Sequence, residues 1–244
     1  MSGSGSGSRE GAIARARHYI ESGAFEADLA RRVAYRTESQ LLPESLPHLL
    51  AYLKEEMEPA FNRMGFSCRI YPNPVKGQGP VLLATRIEDP SLPTVLGYGH
   101  GDVIRGLEEQ WTKGKGPWIT ARDGDRLYGR GTADNKGQHT INMAALQAVM
   151  EERGGRLGFN VKFMIEMGEE AGSKGLKELV AAHKEDFAAD VLIASDGPRT
   201  RPERPTLTLG CRGAVNFDLV CELREGGHHS GNWGGLLANP AIIL

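Results

Sequence analysis

The chain has 244 residues, 40% of them hydrophobic and 25% charged, which suits a soluble globular protein of one large domain or one and a half smaller ones. A net charge of -2 provides no basic field, so nucleic acid is not expected as a partner. No apolar run approaches the roughly 20 residues that cross a bilayer, so membrane is not expected either.

The first eight residues alternate serine and glycine and read as a flexible leader, set apart from the fold. Residues 13–37 carry charges interleaved with apolar positions and predict one or two helices; 46–64 predict another, stopped near Gly65. Short apolar runs at 66–71 and 81–87 predict strands, and 94–100 predict a buried strand running into a loop. After a glycine turn, residues 136–150 have helical spacing. Strands are expected at 160–166 and 190–195, the latter buried, with a helix at 176–184 between them. This alternation predicts an α/β domain over residues 9–205, a mostly parallel sheet with helices on both faces. Arg-Pro-Glu-Arg-Pro at 201–205 reads as a stiff connector. Beyond it, residues 206–244 read as the start of a second unit, with strands at 206–209 and 214–223 and a glycine-rich loop at 226–235. Asn239-Pro240 then announces a helix only a few residues before the end, so the sequence is expected to be truncated.

Three of the predicted strands end in acids. The first delivers His100 and Asp102, the next Glu169 and Glu170, and the last Asp196; Asp134 precedes a helix in a glycine-rich loop. Ligands of open α/β sheets bind beyond the carboxyl ends of the strands, so these side chains converge by topology. Carboxylates crowded around one imidazole repel one another unless a cation sits among them, and nitrogen plus oxygen donors without thiolate suit zinc, manganese or cobalt. In His-x-Asp, one ring nitrogen of His100 can bind metal while Asp102 takes the proton of the other. In the Glu pair, Glu170 can bind metal while Glu169 stays free to take a proton from a water. Each piece alone has a plain structural explanation: a chance His-x-Asp, a solvated Glu pair, a turn at Asp196, a helix cap at Asp134. Their order and their place at strand ends favour the metal centre.

Other residues carry less. His139 reads as structural, and His18, His48 and His183 as surface groups. No Gly-x-Ser-x-Gly elbow or phosphate loop is present. Cys68, Cys211 and Cys221 are odd in number and widely spaced, which predicts reduced thiols and a cytoplasmic protein.

Taken in order, His100-Gly-Asp102, the run from Leu127 through Asp134 to Gly137, Glu169-Glu170-Ala-Gly-Ser and Ser195-Asp196-Gly197 resemble the carnosinase, aminoacylase and glutamate carboxypeptidase family of dinuclear zinc peptidases. The resemblance implies two divalent metal ions, most simply zinc, with Asp134 between them, His100 and Asp196 completing one site and Glu170 serving the other. It implies Asp102 as the group orienting His100, and Glu169 as the general base that activates a water. It further implies an inserted α+β lid from about residue 206 that makes a homodimer, in which His229 reaches the partner's site and holds the substrate carbonyl oxygen. The family's last histidine ligand comes from a segment after the lid, so one site is expected to lack a ligand here. The implied substrates are small peptides or N-acyl amino acids. Asp rather than Glu at position 196 resembles the dipeptidase and aminopeptidase members more than the deacylases. The alternatives are an N-acyl amino acid deacylase and a catalytically incomplete metal-binding or dimerisation fragment.

Overall fold

The computed structural model describes residues 7–197, 199–201, 203–210 and 212–244. Most of the expected leader and Cys211 lie outside these residues. The chain separates into two compact units, 1–196 and 197–244.

The first unit opens with α1 (Arg9–Glu21) and α2 (Ala24–Ala34), separated at Gly23, whose φ of +79° suits glycine. Ser8, expected in the leader, instead caps α1, its Oγ accepting from the Gly11 N–H at 2.9 Å. The long helical stretch expected at 46–64 is present, but in three parts: α3 (Leu46–Ala51), a π-helical segment (Tyr52–Met57) and α4 (Glu58–Arg63). The wide segment ends where Pro59, with no N–H to donate, enters the helix. Strands β1 (Ser67–Tyr71), β2 (Val81–Arg86) and β3 (Thr94–His100) follow, then a short hairpin of β4 (Ala121–Asp123) and β5 (Arg126–Tyr128). Helix α5 (Lys136–Glu152), strand β6 (Asn160–Glu166), helices α6 (Leu176–Ala182) and α7 (Lys184–Phe187), and strand β7 (Val191–Ala194) complete the unit.

The main sheet has the order β1-β2-β6-β3-β7. β6, β3 and β7 pair in parallel, and β2 is antiparallel to both neighbours, so β2 alone runs against the other four strands. The expectation of a mostly parallel sheet therefore holds. Side-chain alternation gives each face its own core. On one face Leu82, Ala84, Val161, Phe163 and Ile165 pack with Leu49, Leu53, Phe61 and Met143 from α3 to α5. On the other, Val81, Leu83 and Met164 pack with Leu179 and Phe187 from α6 and α7.

Two expectations fail. The run at 190–195 forms a strand but is not buried: Val191, Leu192 and Ile193 are 49–63% exposed, so β7, an edge strand paired with β3, has neither face covered among the described residues. In the second unit the described residues of 206–209 and 214–223 form no strand. Their β-branched and aromatic side chains satisfy strand propensity, but a strand also needs a ladder partner and a covered face. Here Leu207, Val215 and Phe217 remain at least 74% exposed. The unit does contain α8 (Ser230–Trp233) and α9 (Pro240–Ile243), and Asn239 caps α9 as expected, its Oδ1 accepting from the Ala241 N–H at 2.9 Å.

Candidate metal centre

The parallel strands place their carboxyl ends side by side, with His100 opposite Glu166 in the β3–β6 register. The loop after β3 is then pinned from both sides. Thr37 Oγ1 donates to the Gly101 carbonyl at 2.6 Å, the Val103 N–H donates to the Thr37 carbonyl at 2.9 Å, and the Gly101 N–H donates to the Glu166 carbonyl at 2.9 Å. Residue 101 has to be glycine, since a Cβ there would stand 2.5 Å from the Tyr52 ring and 2.8 Å from Met167 Sδ.

His100 is fully buried and aims its ring at the acids. Its Nε2 lies 3.0 Å from Asp134 Oδ1, 3.8 Å from Asp196 Oδ2 and 3.9 Å from Glu169 Oε2. On the other side Nδ1 is 3.0 Å from the Asp102 carbonyl oxygen and 3.4 Å from its carboxylate. The Asp102 carboxylate therefore does more than the sequence suggests. It is fully buried and also accepts the N–H groups of Glu169, at 3.2 Å, and Glu170, at 3.0 Å, so it holds the turn that carries both glutamates.

Burial alone disfavours a charged His100 ring. The hydrogen bond to Asp102 and the charges of Asp102, Asp196 and Glu169 outweigh it and raise the pKa to about 10. Burial raises Glu169 above the usual carboxylate range, and Asp196, Asp102 and Asp134 add to this against the pull of His100. Glu170 is raised by burial and then by the charge of Asp134. The acids thus favour a positive charge at the point where they meet.

His100, Asp134 and Asp196 each offer a donor atom, and these atoms lie within 4.8 Å of one another. One imidazole nitrogen and two carboxylate oxygens at this separation fit a divalent cation. Glu170 stands outside that trio and is linked to it through its coupling with Asp134. His229 belongs to the second unit. It is exposed, and its Nδ1 accepts the Gly231 N–H at 3.0 Å, which leaves Nε2 as the protonated nitrogen of a neutral ring.

Sequence reasoning missed the residues beneath the cluster. Asn135 is fully buried: its Oδ1 accepts the His100 N–H at 3.2 Å, and its Nδ2 donates to the Ser195 carbonyl at 2.8 Å and to Asp196 Oδ1 at 3.1 Å. One carboxamide therefore ties the ends of β3 and β7 together. The adjacent Asp134 was the only signal that position 135 mattered. Lys136 is also fully buried; its Nζ donates to the Tyr35 carbonyl at 2.8 Å and sits 5.0 Å from the centre of the Tyr52 ring, and burial lowers its pKa to about 7. His139 is structural, as expected. Its Nε2 lies 2.6 Å from the Tyr52 hydroxyl, and burial keeps its pKa well below the usual histidine value.

A mixed α/β sheet with a histidine and clustered acids at its strand ends defines an α/β protein with a candidate site for a divalent cation. The chain belongs to peptidase family M20/M25/M40, whose sequence profile matches residues 96–225. The rat Beta-Ala-His dipeptidase is 39% identical over 169 residues, covering 68% of this chain and 34% of that protein. The cysteinylglycine-S-conjugate dipeptidase of Corynebacterium striatum is 39% identical over 154 residues, covering 62% and 33%. Among solved structures, human carnosine dipeptidase 1 superposes with a TM-score of 0.70 at 28% identity, over 94% of this chain and 50% of that one. The yeast dipeptidase Dug1p, at 24% identity and a TM-score of 0.75, shows the shared fold over 98% of this chain and 51% of that one. The chain spans about a third of the length of the curated relatives it matches. The family read from the motifs is therefore correct. Among the described residues, no helix is long and apolar enough to cross a membrane.

Proposed function

We propose that this protein is a metal-dependent dipeptidase that hydrolyses the amide bond of a small peptide. The observation that carries this reading is the convergence of His100, Asp134 and Asp196 donor atoms within 4.8 Å, with Glu169 Oε2 standing 3.9 Å from the same ring nitrogen. The dipeptide substrate follows the printed activities of the Beta-Ala-His and cysteinylglycine-conjugate relatives.

In this reading His100, Asp134 and Asp196 would hold one divalent ion, zinc before manganese or cobalt, and Asp134 and Glu170 would hold a second. Such ions would supply Lewis acidity toward the scissile carbonyl and lower the pKa of water. Glu169 takes the proton of the attacking water and passes it to the leaving nitrogen. Burial and the neighbouring acids raise its pKa above that of an ordinary carboxylate, which makes it the better proton acceptor. Asp102 keeps His100 in one orientation and Glu169 in place through the backbone. His229, with its proton on Nε2, holds the substrate carbonyl oxygen in the partner's site of a homodimer. Three unpatterned cysteines support a cytoplasmic location.

A panel of β-alanyl-histidine, cysteinylglycine and acetylated amino acids tests the proposal. The expected result is dipeptide hydrolysis that a chelator abolishes and added zinc restores, and that Glu169→Ala abolishes without loss of metal. Turnover that persists in chelator overturns the metal mechanism. Preference for acetylated amino acids replaces it with a deacylase, and metal binding without any turnover with a binding module.

A further inference from the structure

We propose that Glu166, with Tyr98 and Ser173, forms a buried latch that sets the position of the Glu169–Glu170 turn, making these three positioning residues for the proposed reaction. The inference rests on the dipeptidase reading, in which Glu169 is the base and Glu170 a metal ligand.

Glu166 is the last residue of β6 and is 3% exposed. Its Oε1 accepts two hydroxyl donors, Tyr98 at 2.7 Å and Ser173 at 3.1 Å. Both of these hydrogen bonds to the buried carboxylate come from neutral hydroxyls, a costly arrangement for a group of no consequence. Tyr98 lies on β3, two residues before His100, so one partner is fixed in the sheet that carries the histidine. Ser173 is the other partner and lies just past the turn. It has a φ of +49° and is one of two non-glycine residues with positive φ among those described. Such a conformation persists only when its surroundings hold it, and here the hydroxyl bond to Glu166 does so.

The turn is thus gripped at both ends by buried acids, one from the loop after β3 and one from the end of β6. Asp102 takes the N–H groups of Glu169 and Glu170 at the start, and Glu166 takes the Ser173 hydroxyl at the finish. Between them the Gly168 carbonyl accepts the N–H groups of Ala171, at 3.2 Å, and Ser173, at 2.8 Å, which closes the loop on itself. With its backbone held at both ends, the turn presents the two glutamate side chains from a fixed position, although the Glu169 side chain is itself 39% exposed. Glutamine at 166 can accept both hydroxyls through its carbonyl oxygen, whereas leucine accepts neither.

The test uses the full chain, first without metal by amide hydrogen exchange, then by zinc titration against a chromophoric chelator. For Ser173→Ala and Glu166→Leu the expected result is exchange about fivefold faster in residues 168–173. Exchange in β2 and β3 should be unchanged, and zinc affinity should fall about tenfold. Glu166→Gln should match the wild type in both measurements. An unchanged turn in Ser173→Ala, or equally accelerated exchange throughout the sheet, overturns the latch; Ser173→Ala carries this judgement alone if Glu166→Leu does not fold. Wild-type protein that binds no zinc, or a Glu170→Gln variant with unaltered zinc affinity, overturns the metal reading instead, while the exchange data still decide the latch.

Discussion

The layer beneath the acid cluster and the rim that faces solvent are built on opposite terms. Beneath, Asp102 and Asn135 are fully buried, and each directs its polar atoms at a strand end or a turn. At the rim, the side chains of Asp134, Glu169 and Asp196 keep 63%, 39% and 25% of their surface. The buried layer has hydrogen-bond partners for its charges, and the rim has like charges for neighbours. The rim acids are therefore positioned by their backbones and by the layer below, and without a metal ion their mutual repulsion is offset only by the single charge that His100 can carry. Stability and metal binding are thereby assigned to adjacent but separable sets of residues.

The sharpest way to break this division is Asp102→Ala, which leaves the Glu169 and Glu170 N–H groups and the His100 ring without their buried acceptor. A loss of about 3–5 kcal/mol is expected, read as a drop in the urea midpoint. A change below about 1 kcal/mol would show that the buried layer is not the seat of stability. Asp134→Ala comes next and should do the reverse. Zinc affinity is expected to fall more than about a hundredfold, beyond what loss of a group behind the ligands causes, while the metal-free protein melts at the same temperature or higher. A lower melting point in that state would mean that Asp134 contributes to the fold through its contact with His100.

The sequence made the rim and the buried Asp102 legible and left the rest of the layer beneath hidden, for a physical reason. Metal-ligand chemistry restricts residue type and spacing, so His100, Asp102, Asp134, Glu169, Glu170 and Asp196 stand out along the chain. Asn135 bonds residues 35 and 61 positions away, and Glu166 is met by Tyr98 from another strand, contacts that leave no local pattern. The sheet was legible because apolar runs between glycine turns specify strands. Which strand lies at the edge was not: Val191 to Ala194 reads as buried, and only the strand order shows otherwise. The segment at 214–223 makes the same point more strongly. Its residues favour a strand, but pairing depends on partners that propensity does not supply.

Two smaller effects sharpen the division further. Asn135→Ala removes three hydrogen bonds shared between the layers, so about 2 kcal/mol of stability and about tenfold in zinc affinity should go together. If only one of the two changes, the carboxamide belongs to one layer and not to both. Glu169→Gln is the smallest. Burial and the charges of Asp196, Asp102 and Asp134 already disfavour an ionised Glu169. A carboxyl whose pKa is raised by folding destabilises the fold above that pKa, so the neutral amide should leave the metal-free protein within about 0.5 kcal/mol of wild type, on the stable side. Because Glu169 is the base and not a ligand in the proposed mechanism, zinc affinity should change by less than about threefold while peptide hydrolysis is lost. A large fall in zinc affinity in this variant would move Glu169 into the ligand set and leave the reaction without the base assigned to it.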